Sequence, residues 1–352
     1  MARLFAHTRG GGASPPGPAR SGSSSIDDDC CWRVDADDLI ALRTRAERLR
    51  PAPVRQARST LAGGHRSRMR GRGMDYRESR HYQAGDDIRN MDWRVTARAG
   101  DPHVKVFDEE RERPVVVLGD FGASMFFGSR GAFKSVVAAR LAALIGWIAI
   151  RHGDRIGALL FNGEHQELSP TGGRRGQMRL IRALVKAGDP RDGLAGSMRP
   201  GALSQALGRL RRVARPGSLV CILSDFYSID ADTGRHLAQL GRHNDLIGFQ
   251  ILDPLEQTPP PAGRYGISDG RRRGLIDTGS GRDRRRWSEH FAAHQAAVDA
   301  LARENPIRLE RCNTDDDPAL RLAEVLVARG RPGALPFAAN RAQHIAAEPE
   351  RT

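Results

Sequence analysis

Cysteine is scarce in this chain of 352 residues: there are four, Cys30, Cys31, Cys221 and Cys312. The adjacent pair lies in a polar stretch and the other two in apolar, strand-like runs. Neither arrangement has metal-ligand spacing or requires disulfides, and a reducing, cytoplasmic setting is the natural expectation. A chain of this length buries enough apolar surface to fold without such staples. Lysine is scarcer still, at three of the 56 basic residues, a preference for Arg that a bias in base composition explains. Long hydrophobic runs are also missing. The longest apolar region, Ser135 to Ile150, is interrupted by Arg140 and falls short of the roughly 20 residues that a membrane helix needs, so it reads as a buried helix. The opening MARLFAHTRGGGASPPGPARSGSSS has no continuous apolar core, which argues against a secretory signal. Catalytic loops are absent too. TGGRRG and FGSRG do not have the GxxxxGK[ST] pattern, and there is no GxSxG elbow and no HExxH helix, so nucleotide hydrolysis by this chain is not expected. His290 and His294, four apart on a helix, read as a solvated face.

What the chain has is positive charge, unevenly spread. The net charge is +14; residues 174–215 hold 11 basic and 2 acidic residues, whereas residues 71–113 hold 9 basic and 10 acidic. A basic patch of that kind attracts nucleic acid, an acidic protein surface or anionic lipid through its long-range field without choosing among them. The region from Arg174 to Arg215 therefore defines an alternative function, nucleic-acid binding, although it lacks interleaved aromatic residues.

Residues 1–35, rich in Gly, Pro and Ser, read as a disordered tail, and residues 331–352 as a second one. From Asp37 to Arg50, acids at the start and Leu39, Leu42, Ala46 and Leu49 at helical spacing predict a short amphipathic helix. This helix is grouped with a β-rich region as a domain over residues 36–113. From Pro114 to about residue 330, short apolar runs alternate with helical stretches, the form of an α/β fold with a parallel sheet covered on both faces. The predicted strands are Val115–Leu118, Ile156–Phe161, Leu219–Leu223, Leu246–Leu252 and Ile307–Leu309. Helices are predicted between them, with a hairpin between Tyr265 and Thr278.

The densest chemistry lies in GRGMDYRESRHYQAGDDIRNMDWRVTAR, residues 71–98, which sets Arg72, Arg77, Arg80, Arg89 and Arg94 against Asp75, Glu78, Asp86, Asp87 and Asp92. The signs cancel, so the segment can pair with itself, with Tyr82 and Trp93 packed beneath the network and a turn at Gly85-Asp86. One reading is an ion-pair clamp using Arg89 and Arg98 as fork-like donors; the other is a recognition surface. The wording RxYxxGDDxRxxDWxxxAR, followed by DEER and a strand ending in Asp, resembles the bacterial family catalogued as domain of unknown function 58, over about Gly71 to Arg329. The resemblance implies a von Willebrand factor A-like fold and the company of a MoxR-type AAA+ ATPase. Many relatives carry membrane helices ahead of the shared region, and this chain looks like a soluble short form.

The same resemblance points to a metal-ion-dependent adhesion site at the carboxyl ends of the strands, where open parallel sheets bind ligands. Asp120 in DFGAS matches the first Asp, Ser124 the second Ser, and Asp225 in DFYS the distal Asp. Gly122 stands where the first Ser belongs, and Thr171 lies a few residues from the expected Thr, with Arg174 or Arg175 a candidate to fill that place. Two carboxylates and one hydroxyl can hold Mg2+ weakly; alternatively the two Asp cap loops or pair with Arg and need no metal. Asp253, in LDPLE, is expected to shape a turn. The function expected is that of a non-enzymatic interaction module, an adaptor for a MoxR-type ATPase or its client. A hydrolase on Asp120 and Asp225 is disfavoured because no general base or second metal shell is apparent.

Overall fold

A computed structural model of the chain describes residues 3–6, 31–49, 74–109, 114–195, 201–268 and 273–327. In chain order, its elements begin with β1 (Arg3–Ala6), α1 (Ala36–Arg48), β2 (Met74–His81), α2 (Trp93–Ala99), β3 (His103–Glu109), β4 (Pro114–Asp120), α3 (Lys134–Arg151), β5 (Arg155–Phe161) and β6 (His165–Gly172). They continue through α4 (Gly173–Ala187), α5 (Pro190–Ala195), α6 (Ala202–Val213), β7 (Leu219–Ser224), α7 (Ala231–Gly241), β8 (Asp245–Leu252) and α8 (Pro254–Gln257). The last are β9 (Arg264–Ser268), β10 (Arg273–Asp277), α9 (Gly281–Glu304), β11 (Ile307–Asn313) and α10 (Pro318–Val327). Two units form, one from Met1–Val54 with Arg113–Phe337 and a smaller one from Arg55–Glu112 with Ala338–Thr352.

The large unit is built on a six-stranded sheet of order β11-β8-β7-β4-β5-β6, parallel except for the antiparallel edge strand β6. Counted within the sheet, the order is sixth, fifth, fourth, first, second, third: the von Willebrand factor A-like arrangement expected from the sequence. All five predicted strands are present, each extended by one to four residues; the continuous apolar runs of β4, β5, β7 and β8 are buried on both faces, whereas β11 is a half-buried edge strand. In β4, Val115 and Val117 enter one core with α1, α3, α4 and α10, whereas Val116 and Leu118 enter the other with α6, α7 and α9. Strand order reverses between β4 and β7, so the loops after these two strands diverge and leave a crevice at their carboxyl ends.

Helix α3 is apolar nearly all round and runs through the first core with fifteen of its eighteen residues buried, as the run from Ser135 to Ile150 predicts. It is also the platform for α1. Leu39, Leu42 and Ala46 face the α3 core. Trp147 Nε1 donates to the Leu39 carbonyl at 3.0 Å, Arg140 pairs with Asp38 at 2.8 Å, and the Arg151 guanidinium caps the last carbonyls of α1 at Ala46, Glu47 and Leu49. These contacts correct the expected domain boundary, since α1 belongs to the large unit and not with residues 55–112. The expected tail is corrected at Arg3–Ala6, where β1 adds to β9 of the predicted hairpin. Val34, also within that tail, is buried. The remainder of residues 1–30, and 331–352, lie outside the described residues.

Strand β6 was not foreseen, because HQELSPTG contains a proline and reads as a loop. An edge strand tolerates proline where a central one does not. Its pairing has a large consequence for the site: Thr171 lies beside Ile156 and Gly172 beside Arg155, at the amino end of β5. Leu39→Ala should cost about 2 to 5 kcal/mol by urea denaturation, as expected for a buried leucine. Ile40→Ala, at a site 38% exposed, should change stability by less than about 0.5 kcal/mol.

Candidate functional site

At the crevice, β4 ends in Asp120, which is 3% exposed. Its Oδ1 accepts the Gly122 N–H at 2.9 Å and its Oδ2 accepts the Ser224 hydroxyl at 2.7 Å. Ser124, buried in a short 3-10 turn over Ala123–Met125, lies near enough to Asp225 to help hold its carboxyl down. Asp225, wholly buried, also accepts the Tyr227 N–H at 3.1 Å and, on Oδ2, the Lys134 ammonium at 2.8 Å. The three residues singled out in the sequence therefore do converge, and Lys134, at the head of α3, joins them.

Lys134 is 0% exposed. Its Nζ also donates to Glu256 Oε1 at 2.6 Å, while Glu256 Oε2 accepts the Asp253 N–H at 3.0 Å in the capping box that opens α8. Asp253 shapes this turn as expected, and it reaches further. Its carboxylate accepts the Ser129 N–H at 2.8 Å, the Ser129 hydroxyl at 2.5 Å and the Thr314 hydroxyl at 2.6 Å. A single hydrogen-bonded network thus joins the ends of β4, β7, β8 and β11 to the first residue of α3. Phe226, between Asp225 and Tyr227, has a φ of 61° and a fully buried ring, a left-handed conformation that costs a non-glycine residue about 1 to 2 kcal/mol. The Tyr227 ring stacks on His294 at 3.9 Å, and His294 Nε2 lies 2.9 Å from the Asp225 carbonyl. His294 is therefore part of the site, a correction to the solvated face expected for the His290–His294 pair. Its position four residues from His290 suggested metal spacing or solvent, whereas α9 turns the ring onto Tyr227.

Burial works against every charge here. Lys134 nevertheless titrates above the usual lysine range, because the attraction of Asp225 and Glu256 outweighs desolvation. At Asp225, burial pushes the carboxyl up, but the Lys134 ammonium prevails and holds it below its ordinary value. Asp120 has no such partner. Burial, then the Asp225 charge, push its carboxyl up to about 7.

The small unit pairs β2 with β3 antiparallel, with His81 opposite His103. The acids of the signature are used locally. Asp86 accepts the Gln83 N–H at 2.9 Å and pairs with Arg80 at 2.7 Å. Asp87 caps a 3-10 turn; buried Asp92 caps α2 and accepts the Ser79 hydroxyl at 2.7 Å. The turn at Gly85-Asp86 forms, with Gly85 at a φ of 111°. Two expectations fail. Arg89 and Arg98 are exposed and make no ion pair among the described residues. Trp93 is 67% exposed, because Asp92 starts a helix that turns the indole outward; only Tyr82 is half-buried.

A family model described as protein of unknown function DUF58 matches residues 78–297. The chain belongs to this family. It is 32% identical over 311 residues to the uncharacterized protein Rv1480 of Mycobacterium tuberculosis, covering 86% of this chain and 94% of that protein. Among solved structures it is similar to the conserved hypothetical protein BatB from Bacteroides thetaiotaomicron, at 12% identity and a TM-score of 0.38, covering 60% of this chain and 96% of that one. It is also similar to a von Willebrand factor type A protein from Catenulispora acidiphila, at 14% identity and a TM-score of 0.33, covering 64% and 42% of the two chains.

This DUF58 chain departs from the adhesion-site pattern in three ways. Gly122 supplies no hydroxyl, and a Cβ there would meet Asp120 Oδ1 at 3.1 Å. Thr171 and the start of α4, with Arg174 and Arg175, lie at the amino end of β5, whereas Asp120 pairs with Phe161 at its carboxyl end. They cannot complete the site, and Thr171 instead accepts a hydrogen bond from Arg179 at 2.8 Å. Third, the position is already cationic. Mg2+ requires near-octahedral oxygen ligation that commonly includes several waters. Here the carboxylates are already engaged by the buried Lys134 ammonium, the Ser224 hydroxyl and the backbone N–H groups of Gly122 and Tyr227, so the residues present do not fit the ion. No group of three or more His, Cys, Asp or Glu suited to a metal occurs among the described residues.

The basic run from Arg174 to Arg215 is not one patch. Helix α4 carries its exposed Arg174, Arg175, Arg179 and Arg182 on the first face of the sheet, whereas α6, with Arg209, Arg211 and Arg212, covers the second. The field expected of a continuous nucleic-acid surface is divided between opposite faces. No helix among the described residues is long and apolar enough to cross a membrane.

Lys134, Glu256 and Ser224 escaped the sequence reading. A signal existed for Lys134: it is one of three lysines and stands at the head of the most apolar helix, where a charge needs a buried partner. The raised Asp120 carboxyl has a measurable sign. It binds its proton more tightly folded than unfolded, so its contribution is full below its ordinary value of 3.8 and is lost as pH rises through about 7. Asp120→Asn should flatten the decline in stability across that window in urea titrations; an undiminished decline would refute the assignment. Asp225→Asn, which removes one of two partners from a buried ammonium, should cost about 3 to 5 kcal/mol.

Proposed function

We propose that the chain is a non-enzymatic protein-interaction module, an adaptor for a MoxR-type AAA+ ATPase or for that ATPase's client. The observation that carries this reading is the outer surface of the small unit. Ile88 and Trp93 are 61% and 67% exposed, and exposed Arg89 and Arg94 accompany them. Aromatic and Arg side chains dominate the energetics of protein interfaces, where a few such anchors carry most of the affinity. Their place inside the RxYxxGDDxRxxDW wording ties the surface to the family, and the family resemblance supplies the ATPase.

The large unit supports a binding role over a catalytic one. In its titratable cluster Lys134, Asp225 and Glu256 are buried and paired with one another, which favours a structural use of these three groups. The A-type fold contributes a rigid scaffold. Mg2+ is not required in this reading, in contrast to what the family's adhesion site would imply.

Trp93→Ala should weaken binding of a purified MoxR-type ATPase by about 30-fold or more in biolayer interferometry, the loss expected of an interface hot spot, with an unchanged thermal midpoint. Equal binding by wild type and Trp93→Ala would remove this surface from the interface. No binding by wild type would remove the ATPase as partner.

A further inference from the structure

We infer that Lys134 is the resident cation of the sheet edge: its ammonium does permanently, as part of the chain, what a divalent ion does in an adhesion-type site. This inference concerns the large unit alone and does not depend on the identity of any partner.

Four observations support it. The Lys134 ammonium lies 2.8 Å from Asp225 and 2.6 Å from Glu256, and all three groups are fully buried. The carboxylate that would ligate an ion as the distal Asp is thus already neutralised. The Ser224 hydroxyl is spent within the protein: it donates to Asp120 at 2.7 Å while its oxygen accepts the Phe226 N–H at 2.9 Å. The fold's remaining hydroxyl ligands are missing from the crevice: one position is Gly122, and Thr171 lies at the amino end of β5. Finally, the Lys134 Nζ lies 6.0 Å from the Phe127 ring centroid and 5.4 Å from that of Tyr227, so the cation faces π systems as well as carboxylates.

Charge accounting agrees with geometry. The Lys134 ammonium holds Asp225 below its ordinary value, whereas burial pushes Glu256 and Asp120 up, toward their neutral forms. A divalent ion added here would stand beside an existing positive charge in a poorly screened interior, where like charges repel strongly. A metal site needs an ion supplied from solution and an open coordination position for a partner carboxylate. The lysine version needs no ion and offers no such position. Recognition by this protein is therefore insensitive to divalent-cation concentration, and the crevice holds its loops in one conformation.

The test is thermal unfolding of wild type and Lys134→Ala in EDTA, Mg2+ and Mn2+, with calorimetric titration of Mn2+ into each. Wild type should keep one midpoint in all three conditions and show no saturable heat. Lys134→Ala leaves the carboxylates facing a vacated space; its midpoint should fall in EDTA, and Mn2+ should restore most of the loss saturably. Asp225→Asn added to Lys134→Ala should abolish that rescue. Saturable metal binding by wild type would overturn the inference, as would a folded Lys134→Ala that takes no Mn2+. If Lys134→Ala does not fold even with Mn2+, the wild-type titration decides alone, with silence supporting the inference and binding refuting it.

Discussion

The ammonium of Lys134 has to be neutralised in a place without water, and much of the large unit is arranged around that requirement. Burying an unpaired ion costs several kcal/mol even after relaxation, so the ends of β7 and β8 must bring Asp225 and Glu256 to within hydrogen-bonding distance of one nitrogen. Glu256 is itself held by the Asp253 capping box, and Asp253 fastens Ser129 in the loop after β4 and Thr314 after β11. The loops at the carboxyl edge are thus fixed by one connected set of polar contacts. Such a network contributes to uniqueness of conformation more than to net stability, since a buried ion pair often does no better than a well-packed apolar replacement.

The fold makes this meeting possible. Strand order reverses between β4 and β7, so Asp120 and Asp225 emerge on either side of the same crevice. Helix α3 enters from the loop after β4 and presents its first residue to that crevice, while its apolar body fills the core beneath the sheet. The left-handed Phe226 lets the chain turn sharply after β7, so that Asp225 faces Lys134 and Tyr227 faces His294. Structure and chemistry share these residues: the groups that lock the edge are those from which an adhesion site would be made.

Much of this was legible in the chain. Continuous runs such as Val115–Leu118 and Leu219–Leu223 declare central strands, and placing Asp120 and Asp225 at their ends requires only the rule that parallel sheets use their carboxyl edge. The family wording correctly anticipated the A-type sheet. What was not legible depended on partners distant in sequence. The pairing of Lys134 with Asp225 and Glu256 spans about a hundred residues, and no local pattern announces it. Strand β6 was hidden by Pro170, and with it the fact that Thr171 and Arg174 lie at the wrong edge. Trp93 was expected beneath an ion-pair network, yet Asp92 serves as a helix cap and turns it outward. The apparent basic patch was an effect of reading along the chain, because α4 and α6 cover opposite faces.

The large unit spends its polar cluster on internal pairing, and the small one uses Asp86, Asp87 and Asp92 to stabilise its own turns and leaves Ile88 and Trp93 exposed. The central claim is that the edge is held by lysine and not by metal. The most direct measurement is a crystal structure from Mn2+-containing solution, with anomalous data collected to locate the metal. With lysine as the resident cation, no anomalous peak should lie between Asp120 and Asp225, and density for Lys134 should reach Asp225 and Glu256. An anomalous peak ligated by Asp120, Ser124 and Asp225, with Lys134 displaced, would contradict it.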